Sequence, residues 1–233
     1  MNKQRVSIMF VCLVALMALC TTNSVTVSQP ATKVIFEDHF KKAIQQWQQV
    51  SGIWQLEKGV LRQTTDDPAQ LNTIRFIQSP RFGDGIIEAS VAVTPRLPQV
   101  LTTAGADDEL TRNIRFICGA GIIFRMKDPR NYYMFRLAGE EGVVLGKMVA
   151  GEWTDLANPR FRDLGSGTQR IQFGKGNYYK LKVECRSNRI MCYVNDGIAC
   201  TMQDASFDMG QVGLVTFKTA ADFSYIKVLE FTH

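Results

Sequence analysis

Apolar and polar residues alternate along most of the chain beyond residue 30, and glycines cut the pattern into short runs. In residues 86–93, Ile87, Ala89, Val91 and Val93 share one face, with Glu88 and Ser90 on the other. That period of two predicts a half-buried strand. Residues 122–125 and 132–137 follow the same rule on either side of a turn at 127–131. Pro129 presets φ for that turn, and Asn131 tolerates the left-handed region.

The clearest hairpin pairs residues 179–185 with 190–195 around Ser187 and Asn188. A two-residue turn there sets residue 183 opposite 192 and residue 185 opposite 190. Cys185 and Cys192 then become diagonal neighbours on a face shared with Leu181, Val183, Ile190 and Val194. As members of an apolar face they read as small buried hydrophobes, with a disulfide between them as the alternative. Residues 212–219 and 223–231 read as two final strands separated by Ala220, Ala221 and Asp222.

Helical signal is confined to residues 40–48, where Phe40, Ile44 and Trp47 fall at helical spacing. No strand–helix alternation and no fixed-period repeat occurs, so the expected class is all-β, an antiparallel two-sheet sandwich. Residues 95–113 break the rhythm as a polar segment too long for a hairpin connection, the kind of insertion that is either functional or merely mobile. Within it Asp107, Asp108 and Glu109 read most simply as a solvated tip.

Composition refines this picture. The 233 residues carry 27 Lys+Arg against 22 Asp+Glu, a formal charge of +5. Lys3 and Arg5 precede an uncharged apolar run at 6–20 that is about 15 residues long, shorter than the roughly 20 a membrane-spanning helix needs. Residues 1–28 therefore read as a signal peptide and 29–233 as a single β-sandwich domain that is secreted or periplasmic, with no membrane span in the processed chain. Cys20, preceded by Leu19 rather than a small residue, leaves a lipoprotein as the lesser alternative. Without Lys3 and Arg5 the excess falls to about +3, and no basic run exists, which argues against nucleic acid as a partner. Cys118, Cys185, Cys192 and Cys200 remain, an even number whose pairing the sequence leaves open. No CxxC pair occurs, and only His39 and His233 could assist a zinc site.

Several phrases then fall into a familiar order. Phe36, Glu37, Asp38 and Phe40, followed by Trp47 and by Gly52, Trp54, Gly59 and Leu61, resemble the opening of concanavalin A-like jelly rolls. Residues 121–125 with 131–137 are similar to the G-x-x-F-R and N-Y-Y-x-F-R hairpin of that group, and residues 210–216 with 221–228 to its closing strands. The resemblance spans about residues 34–231 and points to the laminin-G-like and 3-keto-disaccharide-hydrolase-like branch. It implies a concanavalin A-like jelly roll, a carbohydrate partner, and calcium near the neighbouring first and last strands. Asp38 and Asp222 are the carboxylates such a calcium would use, although Ser224 stands where a further aspartate is usual. The E-x-D-x-E triplet of the glucanase branch is missing, which argues against retaining chemistry of that type.

The same alternation selects candidate ligand-binding residues. If their strands are neighbours, Glu88, Arg125, Tyr132, Arg136 and Lys147 project together from one outward face, and Trp153 is a further candidate, read either as an exposed stacking platform or as packed under a loop. An aromatic ring stacks on the C–H surface of a sugar, and guanidinium forks and a carboxylate bind its hydroxyls. Arginines add a preference for uronic or sulfated groups. The bland alternative is a cross-strand ion-pair ladder of Glu88, Arg125 and Arg136. Three functions follow as expectations: a lectin-like module for a glycan or oligosaccharide, a glycoside hydrolase using a carboxylate such as Glu88 or Glu140, or an adhesive module with a protein partner.

Overall fold

The computed structural model describes residues 30–64, 72–94, 118–140, 142–161 and 171–232. The expected signal peptide and the whole polar segment at 95–113, with its cluster at Asp107, Asp108 and Glu109, lie outside them.

Among the described residues fifteen strands run in chain order: β1 (Thr32–Asp38), β2 (Trp47–Gln49), β3 (Trp54–Glu57), β4 (Val60–Gln63), β5 (Asn72–Phe82), β6 (Gly85–Thr94), β7 (Gly119–Asp128), β8 (Asn131–Ala138), β9 (Gly142–Val149), β10 (Glu152–Ala157), β11 (Tyr179–Arg186), β12 (Arg189–Val194), β13 (Gly197–Gln203), β14 (Gly210–Phe217) and β15 (Ala220–Phe231). Sheet A has the order β13-β12-β11-β6-β15-β4-β3, with β1 also paired to β15; sheet B has the order β10-β9-β8-β7-β14-β5-β2. Every pairing between these strands is antiparallel. The architecture is the expected two-sheet jelly roll.

The core lies between the sheets. From sheet A it takes Ile87, Ala89, Val91 and Val93, and from sheet B Ile122, Phe124, Tyr133, Phe135 and Leu137. The period of two therefore holds on both sides of the sandwich. Phe124 stacks on Tyr133 with ring centroids 5.3 Å apart, and Phe207 meets Tyr133 edge-on at 5.2 Å. The hairpin of β11 and β12 has the expected register, with Val183 opposite Cys192 and Cys185 opposite Ile190.

Two local expectations are corrected. Residues 40–48 form no helix: Phe40 turns to a positive φ of 54°, its N–H donates to Asp38 Oδ1 at 2.7 Å, and Trp47 joins β5 as the start of β2. The Asx-type turn at Asp38 diverts the chain before a helical turn can close. The last hairpin turns at Lys218 and Thr219, so Asp222 lies inside β15 rather than in a turn.

Candidate functional site

Alternation along sheet B gives it an outward face of unusual composition. At its middle Ile74, Ile123, Met126, Tyr132, Met134 and Val215 form a second buried apolar cluster, with Phe76 and Met148 packed on its margin. Burial alone pushes the Tyr132 hydroxyl up to about 12. Toward the β9–β10 edge the face becomes polar and opens into a cavity of about 270 Å3, small for a small-molecule site. Arg136, Ala138, Val144, Trp153, Asp155, Asn158, Arg160 and Phe217 line it.

The register explains how these residues meet. Arg136 of β8 sits opposite Val144, Asp155 of β10 opposite Gly146, and Trp153 opposite Met148. A Cβ at position 146 would lie 2.3 Å from Trp153 Cζ2, so glycine there is what lets the indole lie over the β9 backbone. The indole N–H donates to Asp155 Oδ1 at 2.6 Å, which fixes the ring while leaving 37% of the residue exposed at the cavity's lip. Asn158 Nδ2 donates to the other Asp155 oxygen at 3.4 Å.

Arg136 is the charged floor of this cavity. Its guanidinium carbon stands 4.3 Å from the centroid of Phe217, and Nη1 donates to the Leu137 carbonyl at 3.0 Å. Burial lowers its pKa to about 10, against the opposing pull of Asp155 and Cys118, so the group stays charged at neutral pH. The site therefore combines an exposed indole, a buried guanidinium on an aromatic ring, a second arginine and one carboxylate.

Of the residues singled out by sequence, Arg136 and Trp153 come together here, and Tyr132 lies on the same face within the apolar cluster. The other three do not join them. Glu88 is in sheet A, opposite Lys182 on one side and Lys227 on the other. The expectation of one shared face fails because β6 belongs to the other sheet.

Arg125 sits at a bulge in β7 with φ at 48° and is 1% exposed. The extra residue re-aims its side chain to the rim of the sandwich. There Nε donates to the Gly83 carbonyl at 3.1 Å, Nη1 to the Phe207 carbonyl at 3.0 Å, and Nη2 to Asp84 Oδ1 at 3.0 Å and the Ser187 carbonyl at 2.8 Å. It is a clasp for three connections, with no face left for a ligand.

Lys147 shares the inward side with Tyr133, its cross-strand partner, and donates to Asp204 Oδ2 at 2.6 Å and Ser206 Oγ at 2.8 Å. Asp204 also accepts from the Tyr133 hydroxyl at 2.5 Å and the Ser206 N–H at 2.9 Å. Burial pushes the Asp204 carboxyl up, but the hydrogen bonds from Lys147, Tyr133 and Ser206 outweigh it and hold the group well below the usual carboxylate range.

The two carboxylates expected to hold calcium are committed elsewhere. Asp38 accepts from Phe40 N–H and, at 2.8 Å, from Trp47 Nε1, on the inward side of sheet A. Asp222 takes both forks of Arg62, at 2.7 and 3.0 Å, on the outward side. Among the described residues no group of three or more His, Cys, Asp or Glu could hold a metal ion. A smaller cavity of about 120 Å3 lies over the Arg62–Asp222 pair, whose charges neutralise one another. Glu140, the other candidate acid, accepts the Phe173 N–H at 2.9 Å.

Sequence reasoning missed Asp155, Asn158, Arg160 and Phe217. Phe217 follows the alternation of β14 and could have been placed on the outward face. The other three depend on how β10 leaves the sheet, including the bulge between Asp155 and Ala157, and no period encodes that.

No protein-family model matches the chain, and no curated protein matches it. Solved structures do. The chain is similar to the carbohydrate-binding module CBM66 from Bacillus subtilis at 20% identity and a TM-score of 0.59, over 79% of this chain and 95% of that one. It is similar to the catalytic domain of an endo-1,3-beta-glucanase (laminarinase) from Thermotoga petrophila RKU-1 at 10% identity and a TM-score of 0.57, over 88% and 100% of the two chains. A beta-glucanase from Bacillus licheniformis is similar at 9% identity and a TM-score of 0.55, over 83% and 97%. What these likenesses establish is the concanavalin A-like jelly-roll fold.

Proposed function

We propose that this chain is a secreted glycan-binding module whose ligand seats in the cavity between Trp153 and Phe217. The observation that carries the reading is the half-exposed indole, held by Asp155 over Gly146 and set beside the Arg136 guanidinium. A sugar ring stacks its C–H surface on the indole, and the arginine forks donate to its hydroxyl or acidic oxygens. With two arginines and one carboxylate lining the cavity, uronic or sulfated sugars are favoured over neutral ones. The printed names of the structural neighbours, one a carbohydrate-binding module and others glucanases, support a carbohydrate as the ligand class.

Binding without cleavage is the better fit. Retaining and inverting glycosidases need two carboxyl groups flanking the scissile bond. Among the described residues lining the cavity, Asp155 is the single carboxylate, and both its oxygens already accept hydrogen bonds.

The test is a panel of neutral, uronic and sulfated oligosaccharides titrated against the wild-type chain and Trp153→Ala, with product analysis of every mixture. Trp153→Ala is expected to weaken binding at least about tenfold, roughly 1.4 kcal/mol, with little change in Tm because the ring is at the surface. Chelation with EDTA is expected to leave affinity unchanged. Equal affinity of the two proteins for every ligand would sink the reading, and cleavage products would convert it to a hydrolase.

A further inference from the structure

A second chemical feature lies outside that cavity, at the β13 edge of sheet A. Cys192 of β12 stands directly opposite Cys200 of β13, the last strand of the sheet. Both are unpaired cysteines in the structure. The turn between their strands is Asn195 and Asp196, both at positive φ, 47° and 68°, as a tight two-residue hairpin requires. Directly opposed residues of an antiparallel pair have Cα atoms about 4.5–5.5 Å apart, inside the range a disulfide spans.

We propose that Cys192 and Cys200 are an oxidation site that closes to a cross-strand disulfide, locking the edge hairpin. The sequence offered a bridge between Cys185 and Cys192 only as the alternative to two buried thiols, and the register does not favour that pair. Cys185 lies opposite Ile190, so it meets Cys192 only diagonally. Diagonal Cβ atoms stand roughly 7–8 Å apart, against about 3.5–4.5 Å in a disulfide.

Access orders the chemistry. Cys192 is fully buried, whereas Cys200 is partly exposed on an edge strand. The neighbouring Cys192 thiol also lowers the Cys200 pKa, whereas burial, followed by the Cys200 thiol, raises the Cys192 pKa. The Cys200 thiolate therefore attacks first. With glutathione disulfide as oxidant, its sulfur bonds to one glutathione sulfur, the glutathione S–S bond breaks, and the other glutathione leaves as a thiolate. The Cys192 thiol then loses its proton and attacks Cys200 Sγ, expelling the second glutathione thiolate. Two protein thiols are oxidised, one disulfide is reduced, and the two thiol protons end on two glutathione molecules.

The closed bridge holds β13 in register where, among the described residues, it is the edge strand of sheet A. Neither cysteine lines the cavity of sheet B, so failure of the bridge to form would not count against the glycan reading.

The experiment uses the full chain, purified with reductant and then held folded in a buffer of reduced and oxidised glutathione. Cleavage before Asp196 separates the two cysteines, which trypsin cannot do because no Lys or Arg lies between them. The expected map links the Cys192 and Cys200 fragments, with Cys118 and Cys185 still open to alkylation after unfolding. Reduction is expected to lower Tm by about 5 °C. Cys192→Ser should trap glutathione on Cys200, Cys200→Ser should take up none at Cys192, and Cys185→Ser should close normally. Thiols at 192 and 200 that both remain alkylatable after oxidation, or a bridge that uses Cys185, would overturn the proposal.

Discussion

The two outward faces of this sandwich obey the same alternation and end up chemically opposite. On sheet A the outward positions are charged and find partners on the surface: Glu184 with Arg186 along β11 at 2.7 Å, Lys180 of β11 with Asp196 of the β12–β13 turn at 2.5 Å, and Lys182 across the strands over the Tyr193 ring at 3.9 Å. On sheet B the outward positions are Ile123, Met134, Val215 and their neighbours, buried as deeply as the core between the sheets. An outward face that is charged is finished by water. One that is apolar is finished by contact, and the polar cavity at its edge, with Arg136 and Trp153, is where that face offers specific chemistry. Pointing away from the core is thus a statement about geometry, and it says nothing on its own about exposure.

The largest effect that would break this comparison is a charge placed on the apolar outward cluster. Ile123 is 0% exposed. Ile123→Asp buries a carboxylate without a partner among its Ile, Met, Tyr and Val neighbours, at a cost of at least about 3 kcal/mol. In thermal unfolding that is a fall in Tm of about 10 °C. A shift of only a degree or two would mean that water reaches the middle of this face and that the contrast with sheet A is superficial.

A smaller effect sharpens the comparison at the place where the two sheets are clamped. Asp204 follows β13 of sheet A, and its carboxylate is held by Tyr133 and Lys147 of sheet B. Because the folded-state pKa is depressed, its contribution is fully present above the unfolded value near pH 4 and is lost as pH falls through the folded value. Asp204→Asn is expected to cost about 1–2 kcal/mol at pH 7, discounted for partial solvent screening. The gap between wild type and variant should stay constant from pH 7 to pH 5 and narrow below pH 4. Urea unfolding at a series of pH values reads this directly, and a gap independent of pH down to pH 2 would show that the carboxylate charge does not clamp the sheets.

Most of the fold was legible because a strand buried on one face writes its period directly into the sequence. Residues 86–93 show the expected faces and the β11–β12 hairpin the expected register for that reason. Where the reading failed, a local device had overridden the period. The Asx turn at Asp38 stopped a helix, and the bulge at Arg125 turned an outward residue into a rim clasp. The site was half legible. Alternation put Arg136 and Tyr132 on the correct side of β8, but which sheet each strand joins is set by long-range pairing. Glu88 and Arg136 therefore looked like neighbours in the sequence reading and are separated by the whole core. Lys147 was lost differently, by ending on the inward side, where it reaches Asp204.

The smallest effect expected is at Glu88 itself. It faces Lys182 and Lys227 across two strands on the solvated side of sheet A. Exposed pairs of that kind contribute about 0–1 kcal/mol, because water screens the charges and both lysines can reorient. Glu88→Gln should therefore change stability by no more than about 0.5 kcal/mol and leave glycan affinity where it was. The same substitution is sensitive to the opposite architecture of function. If the ligand sat on the charged face of sheet A, losing this carboxylate would weaken binding while Trp153→Ala would not. Measured side by side, the two variants assign the ligand to one outward face or the other, with the sandwich between them as the insulating layer.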